Sequence, residues 1–142
     1  MELVELTTKQ DITKAFAVVN ELRTNLDLNK YSELVTEAME RDNYHMFGMM
    51  EEEEIVAVAG FKPAVSLYYG RLVWIEDLVV TNEKRNYGYG EMMLHFVEQW
   101  AAQNKYDHVA LSSGMSQSHA HKFYEEKMDY EKTGYVFLKK NV

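Results

Sequence analysis

The stretch VWIEDLVVTNEKRNYGYGEMML, Val73 to Leu94, holds an apolar strand-like run broken by two acids, a turn, and the start of a helix. In the turn two glycines sit two apart beside paired basic residues. A short loop between a strand and a helix aims its N–H groups, and those of the first helical turn, at one point. The helix dipole favours negative charge at that point. Gly88 and Gly90 let the main chain approach a ligand closely, and Arg85 adds a planar charged fork suited to phosphate. No Gly-Lys-Ser/Thr follows, so this is not a Walker loop, and the third glycine of the dinucleotide fingerprint is missing. Read alone, the two glycines serve equally well as a tight strand-to-helix connection.

The surrounding pattern alternates element types. Leu3 to Leu6 alternates like a short strand, and Thr8 with Asp11 forms a capping box opening a helix whose apolar face is Ile12, Ala15, Phe16, Val19 and Leu22. A second helix carries Tyr31, Leu34, Val35, Ala38 and Met39 on one face. YHMFGMM and IVAVAGFKPAV, separated by the charged EEEE turn, predict a hairpin in which Pro63 ends the regular part of the second strand. RLVWIEDLVVT predicts a third long strand, apolar enough for burial on both faces. Behind the turn, Met92, Met93, Phe96, Val97, Trp100 and Ala101 repeat at helical spacing. HVALSS then suits a strand, SHAHKFYEEKM a helix, and GYVFLKK a final strand. The predicted order is β-α-α-β-β-β-α-β-α-β: an α/β (α+β) fold with a mixed, mostly antiparallel central sheet flanked by about four helices.

Composition limits the functions available. The 142 residues, 46% hydrophobic, suffice for one packed core and are too few for two ordinary domains, so a single domain over 1–142 is expected. A net charge of −8 with no basic run longer than two residues argues against nucleic acid as a partner. The absence of cysteine excludes disulfides, thiolate metal sites and a cysteine acyl-enzyme. The opening MELVELTTKQD has no leader pattern and no stretch approaches the length of a membrane span, which predicts a soluble cytoplasmic protein without a membrane partner. A homodimer is left open.

From Val73 to Tyr130 the chain resembles the GNAT acetyltransferase superfamily. The resemblance rests on the strand, on an R-x-x-G-x-G loop formed by Arg85, Gly88 and Gly90 with the helix behind it, and on QSHAHKFYEEKMDY, where Ala120, Phe123 and Tyr124 match a later helical motif. It implies an acetyl-CoA-dependent N-acetyltransferase fold and activity. The pyrophosphate of acetyl-coenzyme A would then fall to Arg85, Asn86, Tyr87, Gly88, Tyr89 and Gly90, and the pantetheine arm to the main chain of Leu78, Val79 and Val80. Tyr124 would contact the cofactor and protonate the departing thiolate. Gln117 stands seven before that tyrosine, where many members carry a cofactor-binding asparagine, and Asp129-Tyr130 replaces the usual glycine-aromatic pair.

Attack of an amine on a thioester requires a proton acceptor and a proton donor. Glu76 and Asp77 interrupt the apolar strand, and because adjacent strand residues point to opposite faces, at most one is expected in the cleft. Either acid can equally be structural, since charges in buried strands are usually paired; the resemblance favours Glu76 as base, with both near the substrate. Tyr124, read without the resemblance, suits core packing beside Phe123. His119 and His121, two apart on a helix, do not share a face, so no metal site is expected. The ELRTNLD segment would wall the acceptor site: Arg23 suits an acidic group such as the phosphonate of an aminoalkylphosphonate, whereas Asp27 or Glu33 suits a polyamine or aminoglycoside. The expected reaction is direct transfer from acetyl-CoA to a primary amine of a small molecule in a ternary complex. The alternative is a non-catalytic acyl-CoA-binding sensor or regulatory module.

Overall fold

The computed structural model describes residues 1–115 and 117–142, which form two compact units, Met1–Ala110 and Leu111–Val142. The first begins with β1 (Glu2–Glu5), α1 (Lys9–Leu22) and α2 (Leu28–Arg41). Thr8 caps α1 by accepting from the Asp11 N–H at 3.1 Å, as the capping pattern predicts, and Asp27 caps α2 through the Lys30 N–H at 2.8 Å. Then come β2 (His45–Glu51), β3 (Glu54–Ser66), β4 (Gly70–Val80), a 3₁₀ turn over Asn82–Lys84, α3 (Tyr89–Gln103) and β5 (His108–Leu111). The sheet order is β1-β2-β3-β4-β5, with the first three pairings antiparallel.

Each sheet face has its own helical cover. Val58 and Val79, opposite each other on β3 and β4, join Ile12, Ala15, Val19, Tyr31 and Val35 in one buried cluster under α1 and α2. On the other face Phe61 meets Trp100 of α3 at 4.9 Å between ring centroids, and Phe47 meets Phe96 at 4.7 Å. Met93, Leu94, Val97 and Ala101 are the buried residues of α3, whereas Met92 is exposed; on α2, Leu34 is exposed while Tyr31 and Val35 are buried.

Two expectations from sequence need correction. Strand β3 does not stop at Pro63, which pairs with Val73 inside the ladder. The reason is that β2 pairs with β3 only as far as Phe61, so β3 has one neighbour at Pro63 and the missing N–H faces no partner. The closing strand over GYVFLKK is also absent: residues 129–142 carry no helix or strand, and Tyr135, Val136, Phe137 and Leu138 are exposed. Its β-branched and aromatic residues suit a strand, but a strand also needs a ladder partner, which propensity cannot supply. The rest of the order is as predicted. The second unit contains α4 (Ser118–Lys122), extended by a π-helical turn over Phe123–Lys127 in which the Met128 N–H reaches back to the Phe123 carbonyl at 3.0 Å.

Candidate active site

The loop between β4 and α3 has the backbone its sequence implies. Asn86 has φ 70° and Gly88 φ 83°, both left-handed, a conformation that asparagine tolerates and glycine adopts freely. Gly88 occupies the cap position of α3 with no side chain to satisfy the helix end. The first helical bond runs from the Met92 N–H to the Gly88 carbonyl at 3.1 Å, so the N–H groups of Tyr89 and Gly90 project from the N-terminus without intrahelical acceptors. A Cβ built on Gly88 would meet no atom within 4 Å, so the space in front of the loop is open. Arg85 folds back through Nε to the Val80 carbonyl at 3.2 Å, closing the loop onto the end of β4.

Strand β5 runs beside only part of the outer edge of β4. The Asp107 N–H donates to the Arg71 carbonyl at 2.8 Å, which places the start of β5 beside the start of β4. A strand that starts there and pairs with β4 must run parallel to it, as a strand–helix–strand crossover requires. With four residues against eleven, β5 accompanies only the first part of β4. The main chain of Leu78, Val79 and Val80 lies beyond the stretch that β5 accompanies.

The two acids of β4 sit at a β-bulge. Phe61 pairs with Ile75 and Gly60 with Asp77, so Glu76 is the extra residue. Alternation of faces therefore fails here, and both acids draw partners from the same side of the sheet. The Lys62 ammonium lies 3.3 Å from Glu76 Oε1, with both side chains more than a third exposed. Asp77 is more enclosed and fully bonded: Arg23 Nε donates to Oδ1 at 2.9 Å and the Tyr44 hydroxyl to Oδ2 at 2.7 Å. Arg23 Nη2 also donates to the Glu76 carbonyl at 2.7 Å, pinning the bulge itself. Burial first, then the Asp77 carboxylate, pushes the Tyr44 hydroxyl well above the ordinary tyrosine range, so it remains a donor.

The structure thus brings Arg23, Glu76 and Asp77 together, but with Arg23 turned onto β4. Asp27 is the cap of α2, and Glu33 faces Lys30 at 3.7 Å on the surface. Sequence reasoning missed Tyr44 and Lys62. The signal for Tyr44 was Gly60 within an apolar strand, a mark of close approach by another group. It also missed Glu21, whose carboxylate accepts from Thr81 Oγ1 at 2.6 Å and the Asn82 N–H at 2.9 Å, and Glu51. A cavity of about 340 Å³ on the α1 side of this loop is lined by Glu21, Glu53, Glu54 and Glu83 with Lys14 and Lys84. Its excess of carboxylates suits a phosphate poorly.

In the second unit Tyr124 lies in the π-helical turn, a local geometry frequent at functional sites, with its ring 5.3 Å from Phe123 and 6.0 Å from Tyr130. Burial pushes its hydroxyl above the ordinary range, keeping it protonated at neutral pH. Gln117 precedes α4 and accepts the His121 N–H at 3.0 Å, while His121 Nε2 lies 2.8 Å from the Gly114 carbonyl. Among the described residues no group of three or more metal-ligating side chains is assembled, and no helix is long and apolar enough to cross a membrane.

The sequence profile of the acetyltransferase (GNAT) family matches residues 10–130. A Bacillus subtilis (strain 168) protein, the uncharacterized N-acetyltransferase YhdJ, is 34% identical over 139 residues, covering 98% of each chain. Among solved structures, a possible acetyltransferase from Clostridium difficile 630 superposes with a TM-score of 0.82 at 15% identity, over 99% of this chain and 97% of that one. The aminoglycoside N-acetyltransferase AAC(6')-Iy, solved in complex with CoA, gives a TM-score of 0.82 at 14% identity, over 99% and 93%.

Proposed function

Because the chain belongs to the GNAT acetyltransferase family, and is therefore an acyltransferase, we propose that it moves an acetyl group from acetyl-CoA to a primary amine of a small molecule by direct transfer. The observation that carries this reading is the uncapped N-terminus of α3 behind Gly88, whose left-handed backbone and open front fit a pyrophosphate. The N–H groups of Tyr89 and Gly90 and the loop Arg85–Gly88 hold the diphosphate, and Gln117 adds a cofactor contact. Beyond the stretch that β5 accompanies, Leu78, Val79 and Val80 offer main-chain groups to the amides of the pantetheine arm.

In the reaction the amine nitrogen attacks the thioester carbonyl carbon, forming the C–N bond, and the C–S bond breaks. Glu76, directly or through water, takes the proton that the ammonium loses before attack; Tyr124 gives its proton to the thiolate and is restored by the second proton, which the nitrogen sheds as the amide forms, so amide and free thiol leave. Burial that keeps the Tyr124 hydroxyl protonated supports the donor role. The acceptor is a polyamine or aminoglycoside rather than an aminoalkylphosphonate, because Arg23, the candidate anchor for a phosphonate, is engaged with Asp77 and the Glu76 carbonyl. The overall charge of −8 further favours a cationic acceptor. Release of free thiol from acetyl-CoA across a panel of polyamines, aminoglycosides and aminoalkylphosphonates tests the proposal. Turnover restricted to the phosphonates would overturn the acceptor class.

A further inference from the structure

We propose that Glu51, the last residue of β2, is a positioning residue for the diphosphate of the acyl donor: its carboxylate clamps both ends of the Arg85–Gly88 loop. This rests on the acetyl-CoA reading above. Glu51 Oε1 lies 2.6 Å from Lys84 Nζ, and Oε2 accepts from the Tyr89 hydroxyl at 2.5 Å. Lys84 closes the 3₁₀ turn before the loop, and Tyr89 is the first residue of α3 after it. One carboxylate on a sheet strand therefore fixes the span of the segment between them, which lies outside helix and strand and includes two left-handed residues. The bond from Lys84 first, and that from Tyr89 second, hold the Glu51 carboxyl below its usual range, so the clamp is ionised at neutral pH.

Two effects of this carboxylate oppose each other in donor binding. A negative charge beside an anion site repels the ligand and occupies a lysine that phosphate would attract. Against that, the clamp orders the loop in advance, so binding need not fix those dihedrals. The repulsion acts between charges screened by solvent and salt and is weak, whereas each backbone residue left to be ordered by the ligand carries a larger entropic penalty. Ordering therefore wins, and removing the clamp weakens binding.

Calorimetric titration with acetyl-CoA, alongside thermal unfolding, tests this. Glu51→Ala should bind about tenfold more weakly. Glu51→Gln keeps an acceptor for Tyr89 but loses the ion pair, and should bind about threefold more weakly; Lys84→Met should match it, with the double variant no worse than either alone. At saturating acetyl-CoA the turnover of the Glu51 variants should equal that of the parent, so the loss appears in KM alone, and the unfolding temperature should stay unchanged for Glu51→Gln. Equal or tighter binding by Glu51→Ala, or, if that variant does not fold, by both Glu51→Gln and Lys84→Met, while the parent binds, overturns the clamp. A folded parent that binds no acetyl-CoA overturns the underlying reading as well, and the two failures are distinct.

Discussion

Gly60→Ala is the substitution whose consequence the structure defines most sharply. A methyl built there would lie 1.7 Å from the Tyr44 hydroxyl oxygen, 2.5 Å from Cζ and 3.0 Å from Cε1. Tyr44 cannot swing aside at low cost, because the residue is only 8% exposed and its hydroxyl donates to Asp77 at 2.7 Å. Overpacking a filled site costs ~1–3 kcal/mol, and losing a hydrogen bond to a charged acceptor costs ~1.5–3 kcal/mol. Together the variant should lose about 3–5 kcal/mol, which for a chain of this size lowers the midpoint by roughly 10–15 °C. Urea unfolding of the parent and of Gly60→Ala measures it. The decisive comparison is in a Tyr44→Leu background, which removes all three approaching atoms. There the methyl enters vacated space, and alanine recovers the ~0.5–1 kcal/mol that glycine costs in a strand, so the sign reverses. If Gly60→Ala destabilises equally in both backgrounds, the Tyr44–Gly60 contact is not its cause.

The remaining expectations concern the site. Gly88→Val introduces a β-branched side chain at φ 83° and fills the open space before the loop, so calorimetry should show acetyl-CoA binding weakened about tenfold or more. Tyr124→Phe should keep acetyl-CoA affinity and folding while turnover falls by roughly 10²-fold; because burial raises the Tyr124 hydroxyl above the ordinary range, the parent should lose activity through this group only above about pH 10. Glu76→Gln should also spare acetyl-CoA affinity, and its lost turnover should partly return as rising pH delivers more neutral amine; inactivity at every pH would assign Glu76 to positioning instead. For Tyr44 the folded-state value is raised, so its contribution to stability is complete below about pH 10 and is lost as pH climbs through the raised value. Tyr44→Phe should be less stable than the parent at pH 7 by urea unfolding, with a smaller further loss at pH 11.

What could be read from the sequence was local. The Thr8 cap and the helix after Gly88 each follow from a few neighbouring residues, and the strands follow from apolar runs bounded by charged or glycine turns. The misreadings lie where pairing over distance decides. Alternation placed Glu76 and Asp77 on opposite faces, but the register of β4 against β3 inserts a bulge at Glu76, which no pattern within VWIEDLVV announces. Arg23 looked available for an acceptor because its partner Asp77 is 54 residues away. Pro63 looked like a terminator because the end of β2 at its side of the sheet is a property of the assembled ladder, not of the strand that contains it. Gly60 marked a close approach without saying by which residue, since only the fold brings the Tyr44 hydroxyl over it to Asp77.

Transfer itself is tested most directly with acetyl-CoA carrying ¹³C in the acetyl carbonyl, mixed with the amine panel and followed by NMR. The carbonyl signal should move from thioester to amide at a rate that depends on both protein and amine, with one free thiol released per amide formed and the rate falling by roughly 10²-fold in Tyr124→Phe. If folded protein binds acetyl-CoA but no amine accelerates loss of the thioester signal, amine transfer is contradicted and the chain acts as an acyl-CoA-binding module.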